Sequence, residues 1–417
     1  MSDITTKTIY VGIDLSFRSN QVAVIDNEGK KLASLVVGND LPGAKKLVEK
    51  IIVLGKDQGA TDVKIGMEAT GLYWWHIYQY LNSDSKLNQE FNLEVYTINP
   101  KIIKRFHDSL NDADKSDPID ALAIADRLRF GKLNKTHLID EQYEPLKRLT
   151  RYRYHLVKSI RIEKNYFLTH LFLKYSSWQK LTPFNSVFSV TAEEVISEFD
   201  PEDLAVASLD TIVSKISAAS GNRLPDPKKA ALLLTQVVNT SYQLDKRFKE
   251  PIDLILTNTY ENIRYFESKV KTIDEVIARE FGRFPNPLMS IKGIGLVFAA
   301  GITSELGSVT RFTKQSAIGK YAGLAWKKSQ SGGFEAEETP RKPGNTYLRY
   351  YLVQAANSLR VHDESYRQYY ERKAGEVPKH QHKRALVLTA RKLARLCFAM
   401  LRDQRLYQPE LSERRKT

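Results

Sequence analysis

Cysteine is nearly absent: Cys397 is the only one among 417 residues. A single thiol excludes an intramolecular disulfide and a thiolate-held metal cluster within one chain, and it fits a reducing compartment. Cys397 lies in the apolar helical run LARLCFAML, which predicts a core position. No apolar run approaches the ~20 residues of a membrane span. The N-terminal stretch MSDITTKTIY has no basic region leading into an apolar core, so no secretory signal is expected. A cytoplasmic location without a membrane partner follows as the expectation. Acid is also in short supply, with 49 Asp and Glu against 63 Lys and Arg, a net charge of +14. The imbalance is concentrated. From Arg341 to Thr417 there are 18 basic and 7 acidic residues, which hold +11 of that total. Such a tail points to a polyanionic partner, nucleic acid first.

What is present begins with TIYVGIDLSF, Thr8 to Phe17. β-favouring apolar residues enclose one carboxylate, Asp14, and Gly12 leaves room beside the backbone. A buried strand that keeps an acid is costly unless the acid is paired or binds a metal. Two further strands are predicted at Asn20 to Lys30 and Lys31 to Asn39, joined by short turns into an antiparallel meander. A helix follows over PGAKKLVEKIIVLGK. Next come a strand over Asp62 to Thr70 that carries Glu68, a short aromatic helix over GLYWWHIYQYL, and a fifth strand over Asn92 to Pro100. Strand–helix–strand order implies parallel pairing there. Three antiparallel strands followed by two parallel ones is the order of an α/β ribonuclease-H-like fold, assigned here to residues 1–137.

Residues 138–283 read as a helical arm. Leu146 to Lys180 contains no Gly or Pro, and eight Lys/Arg stand against one Glu between Leu146 and Tyr175. Arg151, Arg153, Lys158 and Arg161 make this helix a candidate nucleic-acid face. After Pro251, the positions Ile252, Leu256, Thr259, Ile263, Phe266, Val270, Ile273 and Ile277 step by 4 and 3, a heptad seam that predicts a coiled coil. Between these, helix starts are expected at Thr191 with Glu194 as a capping box, at Asp200-Pro201 and at Asp226-Pro227. Residues 284–417 read as mostly helical. SIKGIGLVFAAGITSELG is a turn opening onto an apolar helix, where backbone amides can hold a phosphate. A Ser/Gly-rich loop is expected over Ser329 to Gly333, then a polar stretch, then helices from about Asn345 and over Lys383 to Arg405.

After the fifth strand comes DADKSDPIDALAIADRL. Pro118 suits a first helical turn, with Ser116 or Asp117 as the cap. Asp117 and Asp120 are three apart and share a face. Capping explains Asp117 alone, and dipole complementation explains Asp120 alone. Asp14, Glu68, Asp117 and Asp120 together call for cations to offset their repulsion. Oxygen-only ligands suit Mg2+ or Mn2+. Asp112, Asp114 and Asp126 are further carboxylates in the same stretch.

The runs GIDLSFRSNQVAVID, MEATGLYWW and KSDPIDALAIA resemble the DEDD-type transposases of the insertion sequence 110 family, including its 1111 group. That family's N-terminal domain is similar to the RuvC junction resolvase. SIKGIGLVFAAGITSELGSVTRF, YAGLAWKKSQSGG and PGNTYLRYYLVQAA resemble its second conserved domain. The resemblance implies an acidic tetrad at Asp14, Glu68, Asp117 and Asp120 and a serine nucleophile at Ser331, with Ser329 as the nearest rival. It implies a bacterial, nucleoid-associated recombinase guided by a structured RNA that pairs with donor and target DNA. Cutting and rejoining would run through a covalent phosphoserine in a homo-oligomer, a dimer of dimers. Two departures stand out. Lys292 replaces the family's usual proline, and Glu335, Glu337 and Glu338 occupy positions that are often basic. Lys292, Arg341, Lys342 and Arg349 are the candidate DNA contacts of this region. A hydrolytic resolvase-type nuclease using only the tetrad is the competing expectation. A sugar-kinase or actin-like ATPase lacks its required second half here, and a non-catalytic scaffold on the coiled coil would leave the tetrad idle.

Overall fold

The computed structural model describes residues 7–409 except 70, 110–115, 132, 134–140, 332–333 and 341–343, with backbone alone at 85, 109, 141, 326–331 and 334–340. The chain divides into two compact units, residues 1–139 and 140–417.

The first unit runs β1 (Thr8–Leu15), β2 (Ser19–Ile25), β3 (Lys31–Gly38), α1 (Leu41–Asp57), β4 (Asp62–Glu68), α2 (Trp74–Ser83), α3 (Ser85–Glu90), β5 (Asn92–Ile98), α4 (Pro100–Ser109) and α5 (Asp117–Arg129). Its five strands form one sheet in the order β3-β2-β1-β4-β5. β1, β2 and β3 pair antiparallel, whereas β4 and β5 join in parallel. This mixed sheet is compatible with the expected ribonuclease-H-like fold. α3 and α4 are additional to the expected elements. Strand alternation separates two faces. Ile9, Val11, Ile13 and Leu15 of β1 join Val63, Ile65 and Met67 of β4 in the larger core, with Leu47 and Ile51 of α1 and Ile77 and Leu81 of α2. The opposite face packs Tyr96, Ile98, Ile103, Ile124 and Leu128 between the sheet, α4 and α5.

The second unit runs α6 (Glu144–Lys174), α7 (Trp178–Leu181), α8 (Val190–Glu198), α9 (Pro201–Val206), α10 (Leu209–Ala219), α11 (Pro227–Thr240), α12 (Lys246–Phe281), α13 (Leu296–Leu306), α14 (Gln315–Tyr321), β6 (Trp326–Ser331), β7 (Phe334–Pro340), α15 (Thr346–His362), α16 (Glu364–Gly375) and α17 (Gln381–Asp403). It has two cores. Phe167 and Leu171 of α6 meet Ile252, Leu256 and Tyr260 of α12 in one, with α8, α10 and α11. Leu146 of α6 meets Ile277 and Phe281 of α12 in the other, with α13, α15 and α17. α6 and α12 are therefore antiparallel. Ion pairs Arg153–Asp274, Lys164–Glu267 and Lys174–Asp253 cross-link them in that register. The heptad seam is met by α6 of the same chain. Ile252, Leu256, Thr259, Ile263 and Ile277 are buried, while Phe266, Val270 and Ile273 are half-buried.

Several local expectations change. α12 starts at Lys246, before Pro251, because the Asp245 carboxylate accepts the Arg247 N–H and caps an earlier turn. α8 is capped by Ser189, which accepts from Ala192 N–H, and not by Thr191. Asp226 caps α11 as expected, accepting from Lys229 N–H. α6 stops at Lys174, before Lys180 where the expected helical stretch ends, and its Tyr152 is exposed. Cys397 is fully buried in α17, and burial pushes its thiol up to about 12, where it is inert at neutral pH. No helix among the described residues is long and apolar enough to cross a membrane.

Candidate metal centre

The site is built on two glycines. In the parallel register of β1 and β4, Gly12 stands opposite Gly66. Both lie on the face away from the larger core, so together they leave a flat bed. α5 lies in it. A Cβ on Gly12 would sit 2.1 Å from the Ala121 carbonyl oxygen and 2.5 Å from the Ala125 nitrogen, and one on Gly66 would sit 2.8 Å from Leu128 Cδ1. Small buried residues on α5, Ala121 and Ala125, make the reciprocal approach. Asp14 and Glu68 lie two residues beyond these glycines, on the same face at the carboxyl ends of their strands. The first turn of α5 carries Asp117 and Asp120.

The N-cap of α5 is Ser116, whose side chain makes no capping bond, and Asp117 is already helical. Capping therefore does not account for Asp117. Asp14 registers the convergence. Its carboxyl is pushed up to about 6, first by burial and then by the charges of Asp120, Asp117 and Glu68, against a lowering backbone hydrogen bond from Leu15. Among the described residues no group of three or more His, Cys, Asp and Glu side chains is gathered closely enough to hold an ion as it stands. An all-carboxylate set held in mutual repulsion is nonetheless the donor chemistry of a hard divalent cation. Asp126 is engaged with Arg129 at 3.0 Å, which removes it from the set. Asp112 and Asp114 lie outside the described residues.

Asn39 is a residue that sequence reasoning missed. Its Nδ2 donates to the carbonyls of Ser16 at 2.9 Å and Tyr73 at 3.3 Å. It ties the loop after β1 to the loop after β4, and so steadies the strand ends that bear Asp14 and Glu68. Nothing local in the sequence signals this, because the partners are backbone carbonyls distant along the chain.

Residues 11–175 match the DEDD transposase family model of IS110, and residues 286–371 match the transposase model of the IS116/IS110/IS902 family. The chain belongs to the IS110 family of transposases. Among its relatives, it is 26% identical over 207 residues to the insertion element IS116 uncharacterized 44.8 kDa protein of Streptomyces clavuligerus, covering 49% of this chain and 46% of that one. It is 32% identical over 124 residues to the mini-circle putative transposase for IS117 of Streptomyces coelicolor, covering 29% and 27% of the two chains. It is 29% identical over 157 residues to the insertion element IS110 uncharacterized 43.6 kDa protein of the same species, covering 37% of each. The matched stretches span less than half the length of these relatives.

In the second unit of this IS110-family chain, Ser329 to Ser331 of the segment expected as a loop are the end of strand β6, paired antiparallel with β7. Gly332 and Gly333 lie outside the described residues. Ser331 ends β6 and pairs with Phe334; Ser329 pairs with Ala336 beside an irregularity in register. Arg341 and Lys342 lie outside the described residues. Lys292 is exposed beside Gly293, whose φ of +97° requires glycine. Arg349 sits in the first turn of α15.

The basic helix α6 differs from its expected role. Six of its eight cations are engaged inside the unit: Lys147 and Arg148 with Glu144, Arg151 with Glu305, Arg153 with Asp274, Lys164 with Glu267 and Lys174 with Asp253. Arg151 and Arg153 are thus structural ties, because acids on α12 and α13 balance them. Lys158 and Arg161 remain exposed. Glu305 is fully buried and accepts from Arg151 at 2.6 and 2.9 Å and from Asn345 Nδ2 at 2.7 Å. Substituting Glu305→Gln is expected to destabilise this unit by about 2 kcal/mol, since charge-assisted bonds from a half-buried guanidinium to a buried carboxylate are weakened. Chemical denaturation measures it, and an unchanged midpoint would show the network to be dispensable.

Proposed function

We propose that this protein is the transposase of a bacterial insertion sequence, and that it cuts and rejoins double-stranded donor and target DNA through a covalent phosphoserine on Ser331. The observation that carries the reading is Asp14, held near pKa 6 by burial and by three surrounding carboxylates. Such an arrangement is costly to a fold and useful to phosphoryl transfer. Asp14, Glu68, Asp117 and Asp120 would hold Mg2+ or Mn2+. A bound ion of this kind lowers the pKa of a coordinated hydroxyl and offsets charge on the phosphorane. Ser331 Oγ forms the new P–O bond as the bond to the displaced sugar oxygen breaks. The serine proton leaves to solvent and the departing oxygen takes one up. The phosphoserine keeps the phosphodiester's energy, so a DNA hydroxyl can reverse the step without ATP. Ser331 is favoured over Ser329 because it is the last residue of its strand. On this reading the chain comprises a RuvC-like metal-binding domain (1–137), a helical arm (138–283) and a serine transposase domain (284–417). It works with a structured guide RNA, as a homo-oligomer built as a dimer of dimers, in the cytoplasm at the nucleoid.

The deciding experiment incubates the full chain with DNA, Mg2+ and RNA co-purified from cells, then denatures in detergent. A protein–DNA adduct is expected with the native serine and none with Ser331→Ala. Cleavage that leaves free phosphate ends and ignores Ser331→Ala would replace this reading with hydrolytic nuclease chemistry. Absence of a discrete co-purified RNA would remove the guide from the proposal.

A further inference from the structure

α16 and α17 border an open cavity of about 310 Å3 lined by Tyr369, Arg372, Leu388, Arg391, Lys392 and Arg395. Four of these six described residues are cations, and none is an acid. On α17 the lining positions 388, 391, 392 and 395 fall at i, i+3, i+4 and i+7, so one leucine and three cations share a helical face. Like charges at such spacing destabilise a helix. Acids at the two ends of α16 are turned to other partners: Glu364 pairs with Arg367, and Glu376 with Lys373 and Arg384. Cations of the cavity are braced by aromatic rings. Lys392 Nζ stands 4.3 Å from the Tyr366 ring centre and 4.8 Å from that of Tyr369, and the Arg372 guanidinium stands 5.4 Å from Tyr369. Tyr366 is itself buried, so this bracing is anchored in the core.

We infer that this cavity seats the phosphate backbone of duplex DNA. Positive groups converge on a space large enough for a phosphate and its sugar, with no acid among the lining residues to compete. Ring-braced cations lose little freedom on binding, which favours a backbone contact over a diffuse surface attraction. The inference rests on the reading that this chain acts on DNA. None of the cavity's residues is among Lys292, Arg341, Lys342 and Arg349, the candidate DNA contacts of this region. The seat holds the duplex without reading its bases.

The test titrates the full-length protein into a labelled duplex of arbitrary sequence at several KCl concentrations. Arg391→Gln with Arg395→Gln is expected to weaken binding about tenfold at moderate salt and to flatten the log–log salt slope by about one for each phosphate no longer neutralised. Lys228→Gln, an exposed change on α11, should leave the slope alone. The single variant Arg372→Gln repeats the measurement on the facing helix, and thermal melts check that all variants are folded. Unchanged slopes in folded pocket variants would overturn the seat while leaving the DNA reading intact. No duplex binding by the native chain would overturn both. If the variants lose a structured RNA but keep duplex DNA, the assignment to DNA is wrong.

Discussion

Asp14→Asn is expected to slow strand cleavage by about a thousandfold, the rate equivalent of about 4 kcal/mol of lost charge stabilisation. The same change should stabilise the metal-free chain at neutral pH. The sign follows from linkage. The Asp14 carboxyl is raised from 3.8 to about 6 in the folded chain. Between those values the native state binds more protons than the unfolded state, so stability falls as pH rises through that window. Above about pH 6 the full penalty of an ionised, half-buried carboxylate among three others remains. The amide of the variant carries no such charge, so this pH dependence should vanish with the substitution. Mg2+ or Mn2+ should raise the melting temperature of the native chain more at pH 8 than at pH 5, and should raise that of the variant far less. Melts across pH with and without metal check this. Equal metal responses in both proteins would mean that Asp14 is not a ligand.

Gly12→Val should destabilise the first unit by more than about 3 kcal/mol, beyond the usual range for overpacking. The new side chain would collide with backbone atoms of α5, at 2.1 and 2.5 Å from the added Cβ. Backbone cannot rotate aside, so the helix must lift, carrying Asp117 and Asp120 away from Asp14. Gly66→Ala offers a graded comparison. Its neighbour is the Leu128 side chain at 2.8 Å, which can change rotamer, and a loss of about 1 kcal/mol is expected. Denaturant midpoints for the two variants measure the difference. If Gly12→Val melts with the native protein, α5 is not seated on β1 as described.

The local signals in the sequence were strongest where one element explains itself. Alternating apolar residues around Asp14 and the order of strands and helices led to the mixed sheet. Pro118 marked the start of α5, and Asn345 and Asp226 marked the starts of α15 and α11. The signals failed where a nearer capping group outcompeted the expected one, as Asp245 does before Pro251 and Ser189 does before Thr191. They failed again at Ser329 to Ser331, where serine-rich composition reads as loop but antiparallel pairing makes the end of β6. The cations of α6 misled for a related reason. A run of Arg and Lys looks like a nucleic-acid face until acids more than a hundred residues away, at Asp274 and Glu305, are folded against it.

By itself the sequence determined which strands alternate, which positions carry acid, and where basic charge accumulates, because these depend on residue type and short spacing. Only the tertiary structure decided what those residues face. Two opposed glycines admit α5 to the sheet, and that close approach brings four separate carboxylates into one electrostatic field. Charge on α6 is largely neutralised from within, while charge on α17 lines a cavity. The difference comes from long-range packing, which sets the surroundings of each charge and has no trace in local spacing.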